Sequence, residues 1–196
     1  MRNRIETLPK IIPPAFEFPK NPTIFRYKGY DVYKYIDENR MTSFIENISS
    51  QINFSWFDAI LVNQTGGDYF FKRLLDLQKR KGNVTNKIVN IEYHRDHSIK
   101  IPVPAELKGK RTFCIDDVLD SGGTSKDIYH DSPYTTFLYL TEKFGINYRW
   151  TPPRYYSAVR VSNVWIGGCG MNLDSEGDGL PLDFGRDYEG IMAKIL

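Results

Sequence analysis

The amino-acid sequence predicts an α/β fold, a mostly parallel central sheet flanked by helices. Short apolar runs of strand length recur at residues 58–63, 87–93, 111–115 and 135–141. Two of them pass through a glycine pair into a helical pattern, Gly66-Gly67 after the first and Gly122-Gly123 after the third. Strand, loop, helix is the building unit of a parallel sheet. The chain shows no internal repeat and no linker, so residues 1–196 read as a single domain. Within it, residues 1–22 form a proline-rich arm and residues 58–191 the core with its ligand-binding segment.

The elements follow in chain order. Pro9, Pro13, Pro14, Pro19 and Pro22 are spaced too closely for a helix or an inner strand. The arm is a disordered tail, a strap across a neighbouring subunit or a flap on its own domain; Ile11, Ile12, Phe16 and Phe18 favour a packed arm. Thr23–Tyr27 and Tyr30–Tyr35 alternate apolar and polar residues around Lys28-Gly29, a hairpin pattern. From Asp37 onward, Met41, Phe44, Ile45, Ile48 and Ile52 fall on one helical face. The strand at 58–63 then leads through Gln64-Thr65-Gly66-Gly67 into a helix carrying Phe70, Phe71, Leu74, Leu75 and Leu77. Lys87–His94 reads as a strand and Arg95–Lys100 as a basic loop. A metal site on His94 and His97 finds no supporting cysteine or acidic partner nearby. After the strand at 111–115, Ser125–Tyr129 predicts only a short helix, because Pro133 stops it. Strands follow at 135–141, at Tyr156–Val161 and at Val164–Gly168, and a Gly- and Asp-rich segment runs from Asn172 to Arg186.

The most informative stretch is Thr112-Phe-Cys-Ile-Asp-Asp-Val-Leu-Asp-Ser-Gly-Gly-Thr-Ser125. Asp116 and Asp117 are read as ending its strand, and Asp120 follows within a turn. Ser121, Gly122, Gly123, Thr124 and Ser125 carry small side chains or none, so their backbone N–H groups can close around an anion. A helix starting near Thr124 would add its own unpaired N–H groups and dipole. The carboxylates cannot bind phosphate; they suit ribose hydroxyls, a metal or a proton in transit. A phosphate cradle beside an acid pair describes a ribose 5-phosphate site.

In full order, an apolar strand followed by Asp-Asp-Val-Leu-Asp-Ser-Gly-Gly-Thr resembles the phosphoribosyl-pyrophosphate-binding signature of the type I phosphoribosyltransferases. The resemblance implies that family's fold, with a small hood over the site in the 95–100 interval, where Arg95, His97 and Lys100 stand. It implies that Thr65, Gly66 and Gly67 touch pyrophosphate, with a cis Gln64–Thr65 bond; Thr65 stands where several relatives carry a cation. Lys143, Trp165-Ile-Gly-Gly-Cys-Gly-Met-Asn172 and Gly185-Arg-Asp-Tyr are similar to the 6-oxopurine branch, the hypoxanthine-guanine-xanthine enzymes. By that resemblance Lys143 donates to the 6-oxo group, Trp165 stacks on the purine, Asn172 lies beside it, and Arg186 reaches pyrophosphate. Asp116 and Asp117 hold the ribose hydroxyls, Ser121–Ser125 the 5-phosphate, and Asp120 exchanges a proton at N7. Magnesium is the implied cofactor. Relatives carry Asp where Asn172 stands, so the metal ligand is Asn172 or Asp174.

Composition bounds the remaining choices. A chain of 196 residues and 22.8 kDa, 41% hydrophobic, can bury a substantial core. Cys114 and Cys169 are far apart, show no metal spacing and read as reduced packing residues in strands. A net charge of +2 without a basic stripe argues against nucleic acid, hence against a ligand-sensing regulator that binds RNA or DNA. No apolar signal core or membrane-length run is visible, so a cytoplasmic enzyme is expected. Its expected partners are phosphoribosyl pyrophosphate, a purine base and further copies of itself as a homo-oligomer. Transfer to another base, such as a pyrimidine, is the enzymatic rival.

Overall fold

The structure is a computed structural model, and it describes residues 11–64, 66–83, 87–173, 180 and 184–194. In chain order the strands are β1 (Ala15–Phe16), β2 (Thr23–Tyr27), β3 (Tyr30–Ile36), β4 (Ala59–Asn63), β5 (Ile88–Tyr93), β6 (Ile99–Ile101) and β7 (Thr112–Leu119). They continue with β8 (Thr135–Phe144), β9 (Tyr155–Ser162), β10 (Ile166–Gly167) and β11 (Ile191–Ala193). The helices are α1 (Glu38–Gln51), α2 (Gly67–Arg80) and α3 (Gly123–Asp131). A seven-stranded sheet has the order β1-β9-β8-β7-β4-β5-β6, parallel throughout except for β6. A four-stranded antiparallel sheet, β10-β11-β3-β2, lies beside it. The expected α/β class and the four core strands are therefore present.

The side-chain alternation of the core strands explains why the large sheet is covered twice. Ile60, Val62, Phe113, Ile115, Leu138 and Leu140 join a cluster with Met41, Ile45 and Ile48 of α1 and Phe70, Phe71 and Leu74 of α2. Ala59, Leu61, Cys114, Phe137 and Tyr139 turn the other way, toward Ile128 of α3 and toward Val103 and Leu107. Because successive strand residues face opposite sides, a strand buried on both faces needs an unbroken apolar run. β4 is buried at every position. α1 starts where the sequence predicts, with the Asp37 side chain accepting from the Arg40 N–H at 2.9 Å.

Where chain order reverses in this sheet, β4 and β7 are neighbours, and each is flanked by later strands running outward. Their paired register ends at Val62 opposite Ile115. A crevice at the carboxyl ends of such a strand pair is the usual ligand position in open α/β sheets.

Several expectations need correction. Asp116 and Asp117 do not end their strand: β7 continues to Leu119, paired with β8 at Val118–Thr141 and Leu119–Glu142. The β4 side of β7 becomes free while the β8 side stays bonded, so the acids border the crevice along one edge only. α3 is longer than predicted, running to Asp131, because Pro133 stands outside its last turn. Of the expected strand at 164–168, Ile166–Gly167 pairs with β11 and Gly168 makes an isolated bridge to Met171, while Cys169 sits in a tight turn at φ 51 rather than in a strand. Both cysteines are free and buried, as expected of packing residues.

The described part of the arm packs on its own domain. β1 adds to β9 in parallel, with the Arg160 N–H donating to the Pro14 carbonyl at 2.8 Å. The Tyr35 hydroxyl donates to the Phe16 carbonyl at 2.5 Å, and Ile11, Phe16 and Phe18 pack against the main cluster. Ile12 remains 80% exposed. Among the described residues, no helix is long and apolar enough to cross a membrane.

Candidate active site

The crevice opens into a cavity of about 340 Å³, and its two sides draw on different parts of the chain. On one side the exit of β7 supplies Asp116, Asp117 and Asp120, followed by Ser121 to Ser125 at the start of α3. Gly122 caps α3 at φ 83, a left-handed conformation that L side chains rarely adopt. A Cβ there would also fall 1.8 Å from the Trp150 carbonyl oxygen. The loop is held from behind, since the N–H groups of Arg149 and Trp150 both donate to the Ser121 carbonyl, at 3.0 and 3.3 Å. Ser125 is tied to the core through the Tyr139 hydroxyl, 2.5 Å away. The result is a fixed ring of backbone donors on a helix start, which suits a phosphate.

Strand parity sends the two adjacent acids to opposite sides. Asp116 accepts from Asn63 Nδ2 at 3.2 Å, and Asn63 is itself fixed by accepting from the Tyr93 N–H at 3.0 Å. Asp117 lies against the other glycine pair: a Cβ on Gly66 would fall 1.8 Å from its Oδ2. A Cβ on Gly67 would meet the Ile115 carbonyl oxygen at 2.4 Å. Both glycines are required by close approach rather than by turn geometry. They bring the start of α2 against the acids, so the two glycine-bearing loops share one crevice.

Burial sets the electrostatics. Desolvation, then the charge of Asp117, pushes Asp116 well above the usual carboxylate range. Asp117 is raised mainly by burial as well, offset in part by the Val118 N–H and by the positive charge of Arg186. An acid pair kept from water gains most from ligand groups that donate hydrogen bonds, such as vicinal hydroxyls.

The opposite side gathers Lys143 from the end of β8, Trp165 and Ile166 at β10, Met171 and Asn172 after it, and His94 and Arg95 from the turn between β5 and β6. Lys143 is buried, with its ammonium 3.4 Å from Asp120 Oδ2 and 5.7 Å from the centre of the Trp165 ring. Arg95 reaches the same Asp120 oxygen at 3.2 Å and lies 5.9 Å from that ring. The indole Nε1 donates to the Leu173 carbonyl at 2.9 Å, which fixes the ring plane. The smaller sheet and the 94–97 turn thus form the hood side of the cavity.

The sequence-predicted residues divide three ways. Asp116, Asp117, Asp120, Ser121 to Ser125, Lys143, Trp165 and Asn172 all line the cavity. Gly66 and Gly67 border it through Asp117 and Ile115. Arg186 is not among the cavity-lining residues; its Nε donates to the Gly170 carbonyl at 3.0 Å, while its charge still acts on Asp117. Thr65, the Gln64–Thr65 bond and Asp174 lie outside the described residues. His94 pairs with Glu92 at 2.9 Å and His97 with Asp127 at 2.7 Å. Among the described residues no cluster of three or more His, Cys, Asp or Glu side chains could hold a metal by itself. Asn63 and Tyr93 were not foreseen. A polar Asn closing an otherwise apolar run was the available signal for the first; nothing in the sequence marked the second.

Comparison with known proteins agrees with this geometry. No family model matches the chain. The adenine phosphoribosyltransferase of Petrotoga mobilis is 30% identical over 127 residues, which cover 57% of this chain and 69% of that protein. The chain belongs to the type I phosphoribosyltransferase family. Solved phosphoribosyltransferases share its fold at low identity. The hypoxanthine phosphoribosyltransferase of Trypanosoma cruzi superimposes with a TM-score of 0.67 at 14% identity, covering 82% of this chain and 94% of that one. For the hypoxanthine-guanine phosphoribosyltransferase of Bacillus anthracis the values are 0.60, 16%, 82% and 95%. For that of Schistosoma mansoni, in complex with IMP, they are 0.58, 18%, 91% and 94%. This phosphoribosyltransferase thus carries its acid pair and small-residue loop at the switch point of the fold it shares with them.

Proposed function

We propose that this phosphoribosyltransferase moves the 5-phosphoribosyl group from phosphoribosyl pyrophosphate to a 6-oxopurine, giving a purine 5'-mononucleotide and pyrophosphate. The observation that carries this is the convergence of Lys143, Trp165 and Asp120 on one cavity that also holds the phosphate loop. A flat indole face suits a purine ring. An ammonium has only donors, so it favours a keto oxygen over an amine. The name of the Petrotoga mobilis relative favours a second reading, transfer to adenine.

In the proposed reaction the C1–O bond to pyrophosphate breaks and the C1–N9 bond forms, with the leaving electron pair remaining on pyrophosphate oxygen. C1 gains oxocarbenium character on the way, as in glycoside cleavage. Ser121 to Ser125 hold the 5-phosphate, and Asp116 and Asp117 take hydrogen bonds from the ribose hydroxyls, which fixes the sugar for in-line displacement. Lys143 and Arg95 position the Asp120 carboxylate, which exchanges a proton at purine N7. Gly66 and Gly67, which border the cavity, and Arg186, whose charge reaches Asp117, would serve the pyrophosphate side. Asp117 and Asn172 offer oxygen ligands of the kind magnesium takes, and with no acidic cluster among the described residues most of its ligands would come from substrate and water. A magnesium ion held there would supply charge neutralisation at pyrophosphate.

The test is pyrophosphate release from phosphoribosyl pyrophosphate and magnesium with hypoxanthine, guanine, xanthine or adenine in turn. Turnover with at least one of the first three and little with adenine is expected. Robust use of adenine alone would establish the second reading.

A further inference from the structure

Behind the phosphate loop lies a second cavity, of about 250 Å³, several times the ~30 Å³ share of a liquid water. Arg95, His97, Lys126 and Arg149 line it, together with Ser121, Gly123 and Trp150. The four basic groups come from three places: Arg95 and His97 from the 94–97 turn, Lys126 from the first turn of α3 and Arg149 from the loop before β9. Arg95 is paired with Asp120 and His97 with Asp127. Lys126 and Arg149 are exposed, and neither makes an ion pair among the described residues. Uncompensated cations held around one concavity repel one another and favour a polyanion there. Arg95, Ser121 and Gly123 also line the main cavity, so the two spaces meet at the phosphate loop.

From this arrangement we propose that the second cavity is an annex for the terminal phosphates of a nucleoside 5'-triphosphate whose first phosphate occupies the Ser121–Ser125 loop. The enzyme would then be inhibited by triphosphates in competition with phosphoribosyl pyrophosphate. The inference rests on the reading of that loop as the 5-phosphate cradle. A separate anion beside an already bound phosphate would be repelled, whereas a covalently linked phosphate chain is delivered to the annex at high effective concentration. The substrate carries a single 5-phosphate, which leaves Lys126 and Arg149 without a role in the proposed reaction.

The test is calorimetric binding of GMP, GTP, AMP, ATP and inorganic tripolyphosphate, without divalent cations, to the wild type and to a Lys126→Ala, Arg149→Ala variant. Both side chains are exposed, and the Arg149 N–H that holds Ser121 is retained in the variant. The expected result is triphosphate binding roughly tenfold tighter than monophosphate binding for the accepted base, weakening with salt. In the double variant that ratio should collapse toward one, with monophosphate affinity and the KM for phosphoribosyl pyrophosphate unchanged. Equal affinity for mono- and triphosphate in the wild type overturns the annex. A parallel loss of monophosphate binding also overturns it, making these cations part of the 5-phosphate cradle. Tripolyphosphate binding as tightly as GTP or ATP overturns the nucleotide as occupant. Failure of every monophosphate to bind overturns the underlying reading of the loop instead, and a preference for AMP over GMP bears only on the base.

Discussion

The cavity wall proposed to hold sugar and phosphate comes from one uninterrupted stretch, Asp116 to Ser125, whereas the wall proposed to hold the base gathers Arg95, Lys143, Trp165 and Asn172 from four separate segments. The first is fixed by backbone: a strand edge, a helix start and glycines that admit close approach. The second is held by side chains, through the contacts of Lys143 and Arg95 with Asp120 and of Trp165 with the Leu173 carbonyl. A wall built from backbone tolerates little substitution and serves one constant ligand part. A wall built from side chains on different segments can change its partner without disturbing the sheet. Asp120 belongs by sequence to the first wall and by contact to the second, so it is where the comparison is most sharply tested.

The largest effect should come from separating Asp120 from its two neighbours. Asp120→Asn removes a proton acceptor and is expected to lower kcat roughly 10²–10⁴-fold, with little change in the KM for phosphoribosyl pyrophosphate. In the proposed reaction Asp117 contacts a ribose hydroxyl in both ground and transition state, so Asp117→Asn should raise that KM roughly tenfold or more. Steady-state kinetics on both variants checks the split. Equal losses in KM from the two would break the division between a sugar wall and a base wall.

How much of each wall was legible follows from how it is built. The strand, acids, small residues and helix start of the sugar-phosphate wall are consecutive, so their order alone predicted a ribose 5-phosphate site. The extension of β7 past Asp117 was not legible, because it depends on Val118 and Leu119 pairing with Thr141 and Glu142 of another strand. The base wall was accessible only through family resemblance, since no local pattern ties Lys143 to Trp165 across 21 intervening positions of chain. Asn63 and Tyr93 became visible only when parallel pairing brought β5 beside β4. The resemblance puts Arg95 in the hood interval, whereas its placement between Asp120 and Trp165 is a property of the folded turn.

A smaller effect sharpens the base wall itself. A buried donor left facing a donor costs roughly 1–3 kcal/mol, so Lys143 should supply about tenfold or more discrimination between a 6-oxo and a 6-amino group. Trp165→Ala should weaken every accepted purine alike, because stacking does not read ring substituents, whereas Lys143→Ala should erode the preference. The ratio of kcat/KM for hypoxanthine and adenine, compared between wild type and Lys143→Ala, reads this directly. An unchanged ratio would assign the reading of the base to another group, with Arg95 the nearest cation.

The smallest expected effect lies in stability rather than activity, and it probes the cost of the sugar-phosphate wall. Burial lifts Asp116 well above the usual carboxylate range, with the charge of Asp117 adding to the rise. The folded chain therefore holds a proton at this position that the unfolded chain releases near the ordinary aspartate value of about 3.9. Stability falls as pH rises from that value through the raised one, and the full penalty is present above it. Asp116→Asn cannot ionise and keeps an oxygen to accept from Asn63 Nδ2. At neutral pH it should raise Tm by a few degrees, and the gain should shrink as pH falls toward the ordinary aspartate range. Thermal melts of wild type and variant across that interval give the test. A lower Tm for Asp116→Asn at neutral pH would mean that bonds to the ionised carboxylate outweigh its desolvation. The acid pair would then stabilise the fold as well as hold the ligand, and the rigidity of this wall would carry no cost.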